Sequence, residues 1–130
     1  MVWIEIHTGD GIINDERIDR IYSETPRRHK DGFDFYAEIN GKRWLIYSEN
    51  LPRKIVESII KEAKKDPKYE DYHEGQKAIR EAFLDHLSEI CDKEDEIFSK
   101  ITSMLLEAKK TDNNQIINFG ENLSRENSSD

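Results

Sequence analysis

The chain has a single cysteine, Cys91, so it cannot close an internal disulfide, which fits a reducing compartment. It also lacks any apolar run near the ~20 residues that cross a bilayer, and its first residues do not have the basic-then-apolar layout of a signal peptide. The expectation is a cytoplasmic protein with no membrane partner. Glycine and proline are scarce, and neither occurs between Gly75 and Gly120. No P-loop, Rossmann glycine pattern or Gly-x-Ser-x-Gly is present, so no nucleotide-hydrolysing, dinucleotide-binding or α/β-hydrolase chemistry is indicated. The chain is read as non-enzymatic and without a cofactor.

Charge is what the sequence has in excess. Charged residues make up 37% of the 130, against about 25% in an average globular protein, and the net charge is −8. A chain of this length still buries enough surface for one core, so its helices must be wet on one side. The acid is unevenly placed. Residues 66–96 hold 11 acidic side chains against 4 basic ones, whereas 51–65 are net positive. Such a surface disfavours nucleic acid, because phosphate contacts need lysine and arginine.

The first half alternates in hydrophobicity. In "VWIEIH", Val2, Ile4 and Ile6 share one face, as a strand requires, and "TGDG" follows as a turn. "IINDERIDRIYSE" reads as a weaker extended stretch. In "FDFYAEINGKRWLIYSE" the pair Asn40-Gly41 predicts a two-residue type I′ hairpin. That turn sets Ile39 opposite Lys42, Glu38 opposite Arg43, Ala37 opposite Trp44, Tyr36 opposite Leu45 and Phe35 opposite Ile46. Phe33, Phe35, Ala37, Ile39, Trp44 and Ile46 then form the core face, and Glu38–Arg43 a cross-strand ion pair.

Asn50 is read as the N-cap of a helix over 51–65, with Pro52 in its first turn. Its stripe of Leu51, Ile55, Ile59 and Ala63 is expected to lie across the aromatic face of the sheet. Asp66-Pro67 ends it. The strand, hairpin and helix of residues 1–65 are similar in layout and hydrophobic spacing to small domains of short bacterial and phage proteins, a likeness that implies no activity. Beyond Glu74, Phe83, Leu87, Ile90, Ile97, Ile101, Met104 and Ala108 recur in steps of three and four, with Glu94 the one charged intruder. The phase holds through "DKEDE", so one amphipathic helix over about 74–110, roughly 50 Å long, is predicted in preference to a broken pair. The fold expected is α+β, a single domain over 1–110 comprising a sheet-plus-helix part (1–66) and an acidic long-helix part (67–110). Residues 111–130 are expected to be a polar disordered tail, with "IINF" as a less favoured docking segment.

Several residues were candidates for chemistry. His73, His86, Cys91 and the surrounding carboxylates do not share the spacing of a metal site, so no metal is expected. His86 and Cys91 are five apart on a helix and diverge, and Cys91 sits on the apolar stripe, so it is read as a small core hydrophobe and not as a nucleophile. The acidic groups Glu70, Asp71, Glu74, Asp85, Glu89, Asp92, Asp95 and Glu96 form a negative face suited to a basic protein surface. The function this points to is a regulator or inhibitor, in one version a phage-type inhibitor of a nucleic-acid-binding host protein. The alternative is a dimer that binds a small phosphorylated ligand through Arg27, Arg28 and Lys30. Because a helix of ~50 Å outruns a small domain, Ile97, Ile101 and Met104 are expected to form a homodimer seam.

Overall fold

The structure, a computed structural model, describes residues 1–24, 32–111 and 113–127. The fold is α+β, built from two three-stranded sheets and four helices among the described residues. The first strand, β1 (Val2–Glu5), turns Val2 and Ile4 into the core and leaves Trp3 and Glu5 half-exposed, which is the alternation read from the sequence. It is the central strand of its sheet, with β2 (Ile12–Asn14) antiparallel on one side.

The interruption at Asn14-Asp15-Glu16 is a 3-10 turn, Asp15–Arg17, capped by the Asn14 side chain, which accepts the Glu16 N–H at 2.9 Å. Then come β3 (Arg20–Glu24), β4 (Gly32–Ile39) and β5 (Lys42–Asn50), an antiparallel sheet in the order β3-β4-β5.

The hairpin turn is as predicted. Asn40 has φ 50° and Gly41 φ 80°, the left-handed pair that a type I′ turn needs and that glycine adopts without a Cβ clash. Pairing follows the expected register from Ile39–Lys42 to Tyr36–Leu45 and then shifts, so that Phe35 faces Tyr47 and not Ile46. This β-bulge lets Ile46 and Tyr47 both turn inward, and Trp44, expected in the core, stays 41% exposed. The expected Glu38–Arg43 pair is rerouted to the neighbouring strand. Glu38 bonds Arg20 of β3 at 2.9 Å, and Arg43 reaches across β4 to Glu24, its guanidinium passing 4.3 Å from the Tyr36 ring. A middle strand has neighbours on both sides, so a pairing rule written for an isolated hairpin misses the third strand.

Helix α1 (Arg53–Ala63) starts directly after Pro52, with no side-chain cap, because Asn50 is used as the last residue of β5. Leu51, Ile59 and Ala63 join the common core, and the helix packs chiefly on α2 (Tyr72–Asp85). The stretch expected as one helix over 74–110 is instead the less favoured broken pair, α2 and α3 (Leu87–Lys109), with only His86 between them. At His86 the backbone leaves helical geometry (φ −99°, ψ 7°), while its N–H still bonds back to Ala82 and Phe83. The bend has a packing cause. α2 lies on α1, whereas α3 approaches β1 and β3, so the two lengths serve different partners while the apolar stripe keeps its phase. Ile90, Ile97, Ile101, Leu105 and Ala108 of α3 are all buried.

The C-terminal segment departs from the expected tail. Strand β6 (Gln115–Ile117) pairs parallel with β1, matching Val2 with Gln115 and Ile4 with Ile117. Helix α4 (Phe119–Asn127) follows, lying near β5, and Ile117, Phe119 and Leu123 are buried in the same core as Phe33 and Phe35. Asn118 secures the junction, since its amide donates to Glu5 at 2.9 Å and its side-chain oxygen accepts the Glu121 N–H at 2.9 Å. Three apolar side chains suffice to dock this polar stretch, because its strand partner and its core are already built.

Candidate functional site

The negative face is assembled by α1, α2 and the start of α3. Two small residues one turn apart, Ala78 and Ala82, are buried on α2 against α1, where Ala63 faces them across a narrow gap. Above this alanine floor a groove of about 150 Å³ opens, rimmed by Glu62 from the end of α1, Asp66 from the turn after it, and Glu81 and Asp85 from α2. Gly75 sets the entry angle of α2. A Cβ there would lie 2.3 Å from the Tyr69 carbonyl oxygen, so the approach of the 66–71 turn to the helix requires glycine.

Four carboxylates thus line one short groove. Among the described residues Asp66, Glu81 and Asp85 have no lysine or arginine within ion-pair distance, and Glu62 meets only the His86 ring, at 3.1 Å. His86 also lies 3.4 Å from Glu89, so one imidazole joins the end of α1 to the first turn of α3.

The acidic residues singled out from sequence are distributed in three ways. Asp71 caps α2, accepting the Glu74 N–H at 3.0 Å, so its charge is engaged in starting the helix. Glu96 is bracketed by Lys93 at 3.6 Å and Lys100 at 3.5 Å. Glu70, Asp85, Glu89, Asp92 and Asp95 are exposed, and Glu74 is half-buried. Only Asp85 of the set lines the groove; Glu62, Asp66 and Glu81 were missed. The signal for Glu81 was Glu81 and Asp85 at i, i+4 beside Ala78 and Ala82. Glu62 was hidden within a segment of net positive charge.

Ile97 and Ile101, expected in a self-association seam, are buried in the chain's own core, with Met104 packed against it. The stripe that α3 was expected to offer a second copy faces β1 and β3. Arg27, Arg28 and Lys30 lie outside the described residues.

His73 is exposed, its ring edge-on to Tyr72 at 5.4 Å. The Cys91 thiol is pushed up from its ordinary value by burial, with Glu94, Asp95 and Asp92 adding to the shift, the opposite of what activates a thiolate. Among the described residues no group of three or more His, Cys, Asp or Glu side chains is arranged to hold a metal ion, and no helix is long and apolar enough to cross a membrane. One carboxylate stands apart. Glu94, the intruder in the apolar stripe, has a buried Oε2 with no hydrogen-bond partner among the described residues. No protein-family model, no curated protein and no solved structure matches the chain.

Proposed function

We propose that this is a non-catalytic interaction protein, a regulator or inhibitor that turns its 66–96 acidic face toward a basic protein, with the α1–α2 groove receiving a lysine or arginine side chain. The observation that carries this reading is the set of carboxylates lining one groove with no lysine or arginine within ion-pair distance among the described residues. Exposed ion pairs return only about 0–1 kcal/mol each, so leaving these acids without partners forgoes little stability while keeping a strong local field. A cation entering between Glu62, Asp66, Glu81 and Asp85 would meet charge from two helices at once and rest its aliphatic stem on the alanine floor. Nucleic-acid-binding proteins carry the complementary basic surface, so a phage-type inhibitor of such a host protein is the concrete form of the proposal.

Titration calorimetry with a short arginine-rich peptide, at low and at physiological salt, tests it. Glu81→Gln with Asp85→Asn should weaken binding by about tenfold or more, and a control of equal net charge, Glu107→Gln with Glu121→Gln, should have little effect. Equal losses from the two pairs would reduce the groove to one part of a diffuse negative surface and sink its role as the site.

A further inference from the structure

A second cleft, which uses none of the acidic residues, lies between the outer face of the first sheet and the tip of the β4–β5 hairpin. Its volume is about 340 Å³. Trp3 of β1 and Trp44 of β5 line it together with Ile12, Ile39, Asn14 and Arg17. The topology makes this place. Val2 and Ile4 point into the core, which sends Trp3 to the other face beside its cross-strand neighbour Asn14, and Trp44, opposite Ala37 near the hairpin tip, stays 41% exposed. An apolar recess of this size is within the range of small-ligand pockets, and about 150 Å³ already accommodates a benzene ring.

Arg17 is the one charged side chain that lines the cleft among the described residues. Arg17 is exposed, and among the described residues no carboxylate lies within ion-pair distance of it. The adjacent acid Asp15 is held by Lys109 at 3.0 Å. Lys42, directly opposite Ile39 in the hairpin, is likewise exposed and without an ion-pair partner among the described residues. Other cations of the sheets are engaged, Arg20 by Glu38 and Arg43 by Glu24. In a chain of net charge −8, two such cations beside the cleft holding both of its tryptophans make a site complementary to one class of molecule.

We propose that the Trp3–Trp44 cleft binds a planar aromatic anion, a flat ring bearing a carboxylate or phosphate, with the ring against the indoles and the charge on the Arg17 guanidinium. Aromatic faces favour offset or edge-on contact with a flat ring, and a guanidinium suits the planar fork of carboxylate or phosphate oxygens.

The two tryptophans are the only ones in the chain and both line the cleft, so tryptophan emission reports on it directly. The full chain is titrated with phenyl phosphate, benzoate, neutral benzamide and inorganic phosphate. A saturable change with phenyl phosphate or benzoate is expected, about tenfold weaker with benzamide and absent with inorganic phosphate. Comparison of the first two shows which anionic group is preferred. Arg17→Gln should bring the aromatic anions to the level of benzamide and leave benzamide unchanged. The absence of a saturable response to either aromatic anion up to about 10 mM would overturn the proposal, as would a response that Arg17→Gln leaves intact. An emission shift that tracks protein concentration with no ligand present would assign the cleft to a second copy of the chain and overturn it equally.

Discussion

The sheets and the helices treat charge differently. In the sheets, ionic groups are tied to the strand order. Arg20 bonds Glu38, Arg43 bonds Glu24, Asp34 accepts the Ser48 hydroxyl at 2.7 Å, and Asp19 accepts the Asn40 N–H at 2.9 Å beside the hairpin turn. Arg53 and Glu57 pair along α1, but of the four groove acids only Glu62 meets a basic ring, His86, and Asp66 accepts the Lys68 N–H at 2.9 Å. Charges that fix register are paired within the chain, whereas the acids of the groove, which the proposed function keeps for a basic partner, have no lysine or arginine within ion-pair distance among the described residues. Arg17 and Lys42 are the exception on the sheet side, and the binding proposed for their cleft rests on the same reasoning.

This contrast is broken most severely at the C-terminus, where a stretch as polar as the helical face nevertheless belongs to the core. Phe119 is fully buried, in one cluster with Phe33, Phe35 and Ile4. Phe119→Ala should lower the unfolding free energy by about 3–5 kcal/mol, measured by urea denaturation followed by circular dichroism. A loss within about 0.5 kcal/mol, normal for a surface position, would return residues 113–127 to the status of a tail.

The next largest effect tests the groove's architecture apart from its charge. Gly75→Ala would normally favour a helix, since alanine exceeds glycine in propensity by about 0.8–1.0 kcal/mol. Here the new methyl would sit 2.3 Å from the backbone oxygen of Tyr69, which has no rotamer by which to move away. A net loss of about 1–3 kcal/mol is expected, as for other overpacked sites. Stabilisation by Gly75→Ala would show that the 66–71 turn yields freely and that it does not hold the groove in shape.

Parts of this molecule were legible in the sequence because their signals are local. Asn40-Gly41 fixed the hairpin turn and the first four pairs of its register, and the three-four spacing of α3 marked Ile90, Ile97 and Ile101 as buried. The α+β class followed from those two signals. What escaped was non-local. The exchange of ion-pair partners reflects β3 lying beside β4, and the bulge leaves Ile46 without a partner between the Phe35–Tyr47 and Tyr36–Leu45 pairs. The docking of β6 depends on β1, at the opposite end of the chain, and composition averaged over 111–130 conceals the three buried side chains. For the acidic face, sequence located the segment but named only Asp85 among the groove's carboxylates, because Glu62 and Asp66 arrive from another helix and the turn after it. The tryptophan cleft was missed for a related reason, since Trp44 keeps the register read from the sequence, opposite Ala37, and only the approach of Trp3 from the first sheet makes a cleft of its exposed face.

A smaller effect is expected where the two charge regimes meet inside one helix. Glu94 lies on the apolar side of α3, and its Oε2 is buried without a partner, a loss of hydration that nothing in the surroundings repays. Glu94→Met keeps the length and helix propensity of the side chain while removing the stranded oxygen. A gain of about 1 kcal/mol, read as an upward shift of the urea midpoint at unchanged slope, is expected. A loss instead would mean that the carboxylate is held by bridging water worth more than the apolar contact.

The smallest effect bears most directly on why the groove is acidic. Glu81 and Asp85 stand at i, i+4 on α2, the spacing at which like charges on a helix repel by about 0.2–0.5 kcal/mol, and Glu62 and Asp66 line the same groove. Glu81→Gln should therefore stabilise the protein by about that amount at low ionic strength. The gain should vanish near 1 M salt, where the Debye length falls to about 3 Å and the remaining carboxylates no longer sense one another. Thermal melts of the two proteins at two salt concentrations would resolve it. If Glu81→Gln is neutral or destabilising at low salt, Glu81 is engaged by a partner within the chain, and the groove is part of the internally paired regime of the sheets. If it stabilises and the gain is screened as expected, the wild-type chain retains a cluster that opposes its own folding. The same substitution should then weaken the arginine-rich peptide, so that the charge which costs the isolated protein a few tenths of a kcal/mol is the charge that holds the bound cation.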